Sequence, residues 1–74
     1  MKRRELRLWI IEVFIPPSKV HYYAGRDGDR TVFTPVPGGA RKYNDKDEAE
    51  GDALVLTATD HTLIGRLSVA EHGF

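Results

Sequence analysis

The sequence has no cysteine among its 74 residues, which excludes a disulfide framework and a cysteine-ligated metal site. Aromatic residues are also few, with one tryptophan, three tyrosines and three phenylalanines. A chain of this length lies near the lower limit at which a hydrophobic core sustains a fold. We therefore expect a single domain over 1–74 that needs its large apolar side chains inside and has little room for an enclosed substrate pocket.

A long hydrophobic run is absent as well. The longest apolar stretch, residues 8–15, is interrupted by Glu12 and is far shorter than the roughly 20 residues that a bilayer-spanning helix needs. The basic start Lys2-Arg3-Arg4 is similar to the first part of a secretory signal, but a small-residue cleavage site is missing and Pro16-Pro17 follows. These features predict a cytoplasmic protein without membrane contact.

The chain begins with a strand pattern. Residues 6–15 are rich in β-branched and aromatic side chains, with Trp9, Ile11 and Val13 on one face and Leu8 on the other. A strand that is apolar on both faces is usually central or covered.

Further strand patterns cover residues 20–24 and 31–34, and the turn between them contains Asp27-Gly28, which is typical of a tight hairpin. Residues 35–39 hold too many prolines and glycines for regular structure and are predicted to form a loop. A last strand is predicted over 62–70.

One helix is predicted over 46–58. Asp45 suits the N-cap, and Glu48 three residues later approximates a capping box. An apolar stripe that can pack on a sheet consists of Ala49, Ala53 and Leu56. Residues 54–59 could instead form a strand, because short apolar runs are ambiguous by periodicity.

The resulting order is β-β-β-α-β, which predicts an α+β fold with a small antiparallel sheet and one helix packed on it. Its core is predicted to contain Trp9, Ile11, Val13, Phe33, Leu63 and Leu67. We expect Trp9 to be the largest single contributor.

The residue types that carry catalysis are sparse. His21, His61 and His72 have no partner histidine or carboxylate at a helical metal spacing, so no metal site is predicted. We place His21 on a strand surface, His61 in the turn before the last strand and His72 at a fraying end. No nucleophile motif, phosphate loop or dinucleotide fingerprint is present either. We therefore predict a protein that is not an enzyme, has no catalytic residues and binds no cofactor.

Charge is unevenly distributed although the net charge is zero. Residues 1–42 hold nine basic and four acidic groups, a net of +5, and residues 43–74 hold two basic and seven acidic groups, a net of −5. The split favours either charged partners or mutual neutralisation of the two halves in the fold.

The densest acidic run lies at the start of the predicted helix and consists of Asp45, Asp47, Glu48, Glu50 and Asp52, with only Lys46 to offset it. Acids in a first helical turn are common, because they suit the helix dipole and face solvent. The functional alternative is an acidic surface that imitates a phosphate backbone and binds a protein's nucleic-acid site.

The basic side chains give a second candidate surface, which consists of Arg26, Arg30, Arg41 and Lys42. Tyr22, Tyr23 and Phe33 lie on the strands between them, and basic groups interleaved with strand aromatics are typical of single-strand nucleic-acid binding. The alternative is that the aromatic side chains form the core and the arginines keep the hairpin soluble.

The region from Tyr22 to Ala53 resembles small phage and prophage accessory proteins. The similar features are the glycine-tipped hairpin, the loop Gly38-Gly39-Ala40-Arg41-Lys42-Tyr43 and the helix start Asp45-Lys46-Asp47-Glu48-Ala49-Glu50. The resemblance implies a protein of a mobile element, a group that includes anti-CRISPR inhibitors of host defence. It carries over no functional residue, because those inhibitors share no motif.

Two functions follow as expectations. The first is a phage-type protein that binds a host protein or nucleoprotein complex in the host cytoplasm and blocks a nucleic-acid or partner site. The second is a small nucleic-acid-binding or regulatory module that uses the basic, aromatic face of the sheet. The sequence does not predict the oligomeric state.

Overall fold

A computed structural model describes residues 6–74 of the chain. The predicted α+β fold is confirmed: a four-stranded antiparallel sheet in the order β3-β2-β1-β4 carries one α-helix, which follows β3 in the chain. The basic start Lys2-Arg3-Arg4 lies outside the described residues. The elements are β1 (Arg7–Ile15), β2 (Lys19–Asp27), β3 (Arg30–Thr34), a 3-10 turn (Pro37–Gly39), α1 (Lys46–Thr59), a second 3-10 turn (His61–Leu63) and β4 (Leu67–Gly73).

The first strand is central, as its two apolar faces predict. β1 pairs with β4 from Arg7 to Val13, but it pairs with β2 only from Glu12 to Ile15. The sheet is therefore continuous between β1 and β4, whereas the outer half of β2 is not hydrogen-bonded to β1 and leaves an opening between the two strands.

Residues 41–43 fill that opening without forming a strand. Tyr43 and Trp9 exchange both of their backbone hydrogen bonds at 2.8 Å, and the Arg41 N–H donates to the Tyr23 carbonyl at 2.8 Å. The segment thus bridges β1 and β2 where the two strands separate, and it satisfies backbone groups that would otherwise be unpaired.

The hairpin between β2 and β3 has a loop of two residues. Asp27 pairs with Arg30, so only Gly28 and Asp29 form the loop. Gly28 has a φ of 62°, a left-handed conformation that glycine adopts without a steric penalty. A positive φ at the first loop position suits a type II′ turn, whose twist matches the strands.

The helix begins as predicted and extends one residue further. The Asp45 carboxylate accepts the Asp47 N–H at 2.9 Å, which confirms the cap, whereas Glu48 makes no reciprocal bond within residues 6–74. Residues 54–59 are helical, so the strand alternative is wrong. Ala49 and Leu56 are buried and Ala53 is half-buried, which confirms the stripe that faces the sheet.

The last strand begins later than the predicted position 62. The Asp60 carboxylate accepts the Thr62 N–H at 3.1 Å and starts a 3-10 turn that contains His61 and Leu63. A left-handed Gly65, with φ of 77°, then redirects the chain into β4. The Asp60 cap therefore produces a turn at the positions where the residue pattern predicted the start of a strand.

The main core lies between the sheet and α1. Its buried side chains are Ile11, Val13, Tyr23, Tyr43, Ala49, Leu56 and Leu63. Trp9, Phe33 and Leu67 pack against this cluster and are partly buried, so they are less buried than the other three predicted core residues, Ile11, Val13 and Leu63. Within residues 6–74, no helix is long and apolar enough to cross a membrane.

A smaller set of buried side chains lies outside the main cluster and consists of Leu8, Ile10 and Ala40. Leu8 and Ile10 alternate along β1 with the side chains that face α1, so they lie on the opposite face of the sheet. That face is called the open face below.

Candidate binding surfaces

The residues of the predicted acidic surface lie on two different sides of α1. Glu50 borders a groove between α1 and β4, and Asp47 lies three residues away, on the same side of the helix. Glu48 and Asp52 border a different groove, beside residues 41–44. The predicted acidic set therefore belongs to two sides of one helix.

Two of the five acids have structural partners. Asp45 caps the helix, and the Asp52 carboxylate accepts the Tyr43 hydroxyl at 2.6 Å. The remaining three, Asp47, Glu48 and Glu50, are exposed and make no salt bridge or side-chain hydrogen bond in the described chain. The nearby Lys46 does not neutralise them by contact, since its Nζ lies over the Trp9 ring at 5.7 Å from the centroid.

The Tyr43–Asp52 contact joins the residue 41–43 bridge to the helix. Tyr43 is buried, and its burial together with the hydrogen bond to the Asp52 carboxylate raises the pKa of the phenol far above its ordinary value of 10.0. The phenol is therefore held as a neutral donor at neutral pH. This pair fixes the helix against the bridge and is not available to a partner.

The predicted basic surface is also divided. Arg26 and Arg41 border one groove of about 310 Å³ together with Asp52, whereas Arg30 lies at the far side of the hairpin. Lys42 donates to the carbonyls of Gly38 and Ala40 at 2.8 and 3.1 Å. Only Arg26 and Arg41 therefore form a basic pair on one surface, and Asp52 beside them reduces its positive potential.

The predicted aromatic platform is largely absent, because two of its three members face the helix. Tyr23 is buried in the core and Phe33 packs against it, with the two ring centroids 6.4 Å apart. Tyr23 and Phe33 therefore belong to the core, as the alternative interpretation predicted. Only Tyr22 lies on the open face.

A different aromatic cluster occupies the open face. The His72 ring lies 6.1 Å from the Tyr22 ring and 6.3 Å from the Phe74 ring, measured between centroids. His72 Nε2 donates to the Glu12 carboxylate at 3.2 Å, and Lys42 Nζ lies 4.7 Å from the Phe74 ring centroid. We call these five residues the open-face cluster.

The sequence interpretation missed this cluster because it placed His72 at a fraying end. His72 is in fact paired opposite Leu8 inside β4. The sequence signal for a longer strand was the every-second-residue pattern of Ser68, Ala70 and His72, which extends one face of the strand beyond position 70.

The other two histidines lie outside this cluster. His61 lies in the turn before β4, as predicted, and His21 is a half-buried residue of β2 whose Nδ1 is buried without a hydrogen-bond partner among residues 6–74. Within residues 6–74, no three histidine, aspartate or glutamate side chains are placed to hold a metal ion together.

An apolar groove of about 450 Å³ follows the outer side of β4. Leu67 and Val69 are half-buried along the strand, and Leu54 on the helix is 71% exposed beside them. The opposite side of the helix carries Val55, which is 54% exposed and borders the groove of Arg26 and Arg41.

No protein-family model matches this chain, and no curated protein or solved structure is significantly similar to it.

Proposed function

We propose that this chain acts by binding a basic surface on a protein or nucleoprotein complex through the exposed start of α1. The observation that carries the proposal is the set of carboxylates of Asp47, Glu48 and Glu50, which are exposed and make no salt bridge or side-chain hydrogen bond among the described residues. Asp45 and Asp52 are excluded from the contact set, since their carboxylates serve the helix cap and the Tyr43 contact.

The helix supports this role because its position is fixed at both sides. Ala49 and Leu56 hold it on the sheet, and the Tyr43–Asp52 bond holds the middle of the helix against the bridge. Charges that are already fixed in position lose less conformational entropy on binding. They attract a basic partner over a distance that depends on salt concentration.

The partner surface that fits these carboxylates carries lysine and arginine, as does a protein channel that binds nucleic acid. A protein that occupies such a channel competes with the nucleic acid. The proposed activity is therefore inhibition of a host nucleoprotein complex in the cytoplasm, without catalysis by this chain. The resemblance of the loop and helix start to phage accessory proteins, a group that includes anti-CRISPR proteins, supports this proposal.

The test compares two charge-reversed variants with equal net charge. Asp47→Lys/Glu50→Lys changes the proposed surface, and Asp27→Lys/Asp29→Lys makes the same charge change at the hairpin. Each tagged protein is used to capture partners from bacterial lysate and is then assayed against purified CRISPR effector complexes for inhibition of target binding. We expect the helix variant to lose partner binding and inhibition, and the hairpin variant to retain both.

Salt dependence provides the second measurement. Affinity of the wild-type chain should fall as salt is raised, because the proposed contact is between opposite charges. Equal affinities of the two variants for the captured partner would contradict the helix surface, provided that circular dichroism shows both to be folded.

The open-face cluster favours a second candidate function, binding of single-stranded nucleic acid. Tyr22, His72 and Phe74 present aromatic edges and faces on one sheet surface, and Lys42 adds a positive charge beside them. Stacking of a base on such a side chain contributes about 1–3 kcal/mol. Glu12 opposes this function, since its carboxylate lies within the cluster.

Fluorescence anisotropy with labelled single-stranded RNA and DNA tests this candidate. Phe74→Ala should weaken binding by about tenfold or more if bases stack there. Val36→Ala, a matched truncation of an exposed residue in the loop after β3, should leave it unchanged. No measurable binding by the wild-type chain at low salt would eliminate this function.

A further inference from the structure

The outer edge of β4 carries backbone groups that point away from the sheet. Among residues 6–74, no strand pairs with this edge. The Phe14 N–H donates to the Arg66 carbonyl at 2.8 Å, which sets the phase of the β1–β4 ladder. In an antiparallel ladder these bonds recur at every second residue. The residues of β4 that direct both N–H and C=O outward are therefore Leu67, Val69, Glu71 and Gly73.

The other edge of the sheet is protected in several ways. β3 has only five residues, ends beside Pro35 and pairs with β2 across an irregularity between Tyr23 and Gly25. Short length, proline and irregular pairing all discourage a further strand from adding to an edge. β4 has seven residues, no proline, no lysine and a regular register with β1.

Apolar side chains accompany the unprotected edge. Leu67 and Val69 form the floor of the groove beside β4, and Leu54 on the helix forms its wall. Leu54 is among the most exposed of the large hydrophobic side chains. A partner that adds a strand to β4 would therefore gain backbone hydrogen bonds and cover these side chains in one step.

We propose that the partner is a second copy of this chain, paired β4 to β4 in antiparallel orientation around a two-fold axis at Val69. Val69 then exchanges both backbone bonds with its counterpart, and Leu67 does so with Glu71 of the other copy. The two sheets become one continuous sheet, in which every outward group from position 67 to 71 has a partner.

The position of the helix makes a second copy fit the groove. α1 packs on β1 and β4 to a similar extent. If its axis lies midway between these two strands, which are about 4.8 Å apart, the two helix axes in the dimer are about 10 Å apart. Packed helices have interaxial distances of about 8–10 Å, so the Leu54 side chains would fill the space between them.

Charge is compatible with a second copy and bears on the register, although the Glu50 carboxylate also borders the groove. The chain has zero net charge, so two copies do not repel each other at long range. A two-fold axis at Glu71 would place the two Glu71 carboxylates directly opposite each other, which is unfavourable, and an axis at Ala70 would leave their positions two residues apart, about 7 Å along the strands. An axis at Val69 separates their positions by four residues, about 13 Å along the strands.

Sedimentation equilibrium of three proteins tests the proposal. The wild-type chain should dimerise with rising concentration. Leu54→Lys should raise the dimer dissociation constant by about tenfold or more, because two lysines would face each other across the axis. Val55→Lys is the matched control on the other side of the same helix, and it should dimerise as the wild type does.

Hydrogen exchange gives an independent measurement that needs no variant. The amides of Leu67, Val69 and Glu71 should gain protection as concentration rises, and the Ala70 amide, which points to β1, should be protected throughout. A monomer at every concentration would overturn the proposal. So would a dimer in which those three amides stay unprotected or in which both lysine variants behave alike. Glu50 borders the same groove, so Asp47→Lys/Glu50→Lys changes charge at both surfaces, whereas Leu54→Lys changes the groove and leaves the carboxylates in place. Loss of the dimer in Leu54→Lys without loss of inhibition by that variant would separate this proposal from the acidic-surface function.

Discussion

Replacing Tyr43 with phenylalanine removes one hydroxyl and tests the contact that holds α1 against the bridge. The hydroxyl donates to the Asp52 carboxylate at 2.6 Å, a short bond to a charged acceptor. Such bonds contribute about 1.5–3 kcal/mol. Because Asp52 is half-buried, its carboxylate can be partly rehydrated in the variant, so we expect the lower part of that range, about 1.5–2 kcal/mol.

A loss of this size is easily measured in a small protein. In a domain of this length it lowers the melting temperature by roughly 5–15 °C. Asp52→Asn retains an acceptor but loses its charge, so it should cost less than Tyr43→Phe. The double variant completes a thermodynamic cycle, in which the coupling energy should be about 1 kcal/mol or more.

The pH dependence gives the contact a distinct signature. The pKa of Tyr43 is raised in the folded chain above the ordinary value of 10.0, so the folded state holds this proton more tightly than the unfolded state. Its stabilisation is therefore complete below pH 10 and declines as pH rises above 10. The stability difference between wild type and Tyr43→Phe should shrink over that alkaline range.

Urea unfolding of both proteins at several pH values, followed by circular dichroism, measures this difference directly. Tyr22 and Tyr23 are present in both proteins, so their ionisation largely cancels in the comparison. Equal stability of the two proteins at neutral pH, or a difference that stays constant across the alkaline range, would refute the role assigned to the Tyr43–Asp52 bond.

Three further changes test the fold. Asp45→Ala removes the helix cap and should lower the free energy of unfolding by about 1 kcal/mol in urea melts, whereas Asp47→Ala in the same turn should have a smaller effect. Gly28→Ala forces alanine into a left-handed turn and should cost about 1–2 kcal/mol, whereas Gly38→Ala, which has open space around it, should cost little. Ile11→Ala, at a fully buried position, should cost about 2–5 kcal/mol, and by the same thermal assay Trp9→Ala should remain measurably folded because Trp9 is only half-buried.

The fold was predictable where local signals and burial agreed. The two apolar faces of residues 6–15 indicated a central strand, and Asp45 indicated where the helix begins. Prediction failed at 62–66, where the Asp60 cap and the left-handed Gly65 form a turn within an apparently regular strand pattern. It did not indicate that Trp9 is less buried than Ile11 and Val13, because periodicity indicates the face of a strand and not how far the helix covers it.

The candidate surfaces were less predictable, because they depend on which distant residues become neighbours. The acidic run is continuous in sequence, yet the helix places Glu48 and Glu50 on different sides. The Tyr43–Asp52 bond and the open-face cluster join residues far apart in the chain or on separate elements. Periodicity and composition do not indicate such pairs. Predicting the Tyr43–Asp52 bond or the open-face cluster requires the strand register.

The bridge of residues 41–43 has a consequence for how the molecule opens. On the outer half of β2 it replaces a full strand pairing by a few hydrogen bonds and the burial of Tyr43. We therefore expect the β2–β3 hairpin to detach as a unit, with loss of its Tyr23 from the core, while β1, β4 and the helix stay together around the other core residues. Such partial opening needs less free energy than complete unfolding. In native-state exchange at increasing urea, the Arg41 amide and the β3 amides should form one cooperative group, and the β1 amides bonded to β4 should form a second, more stable one.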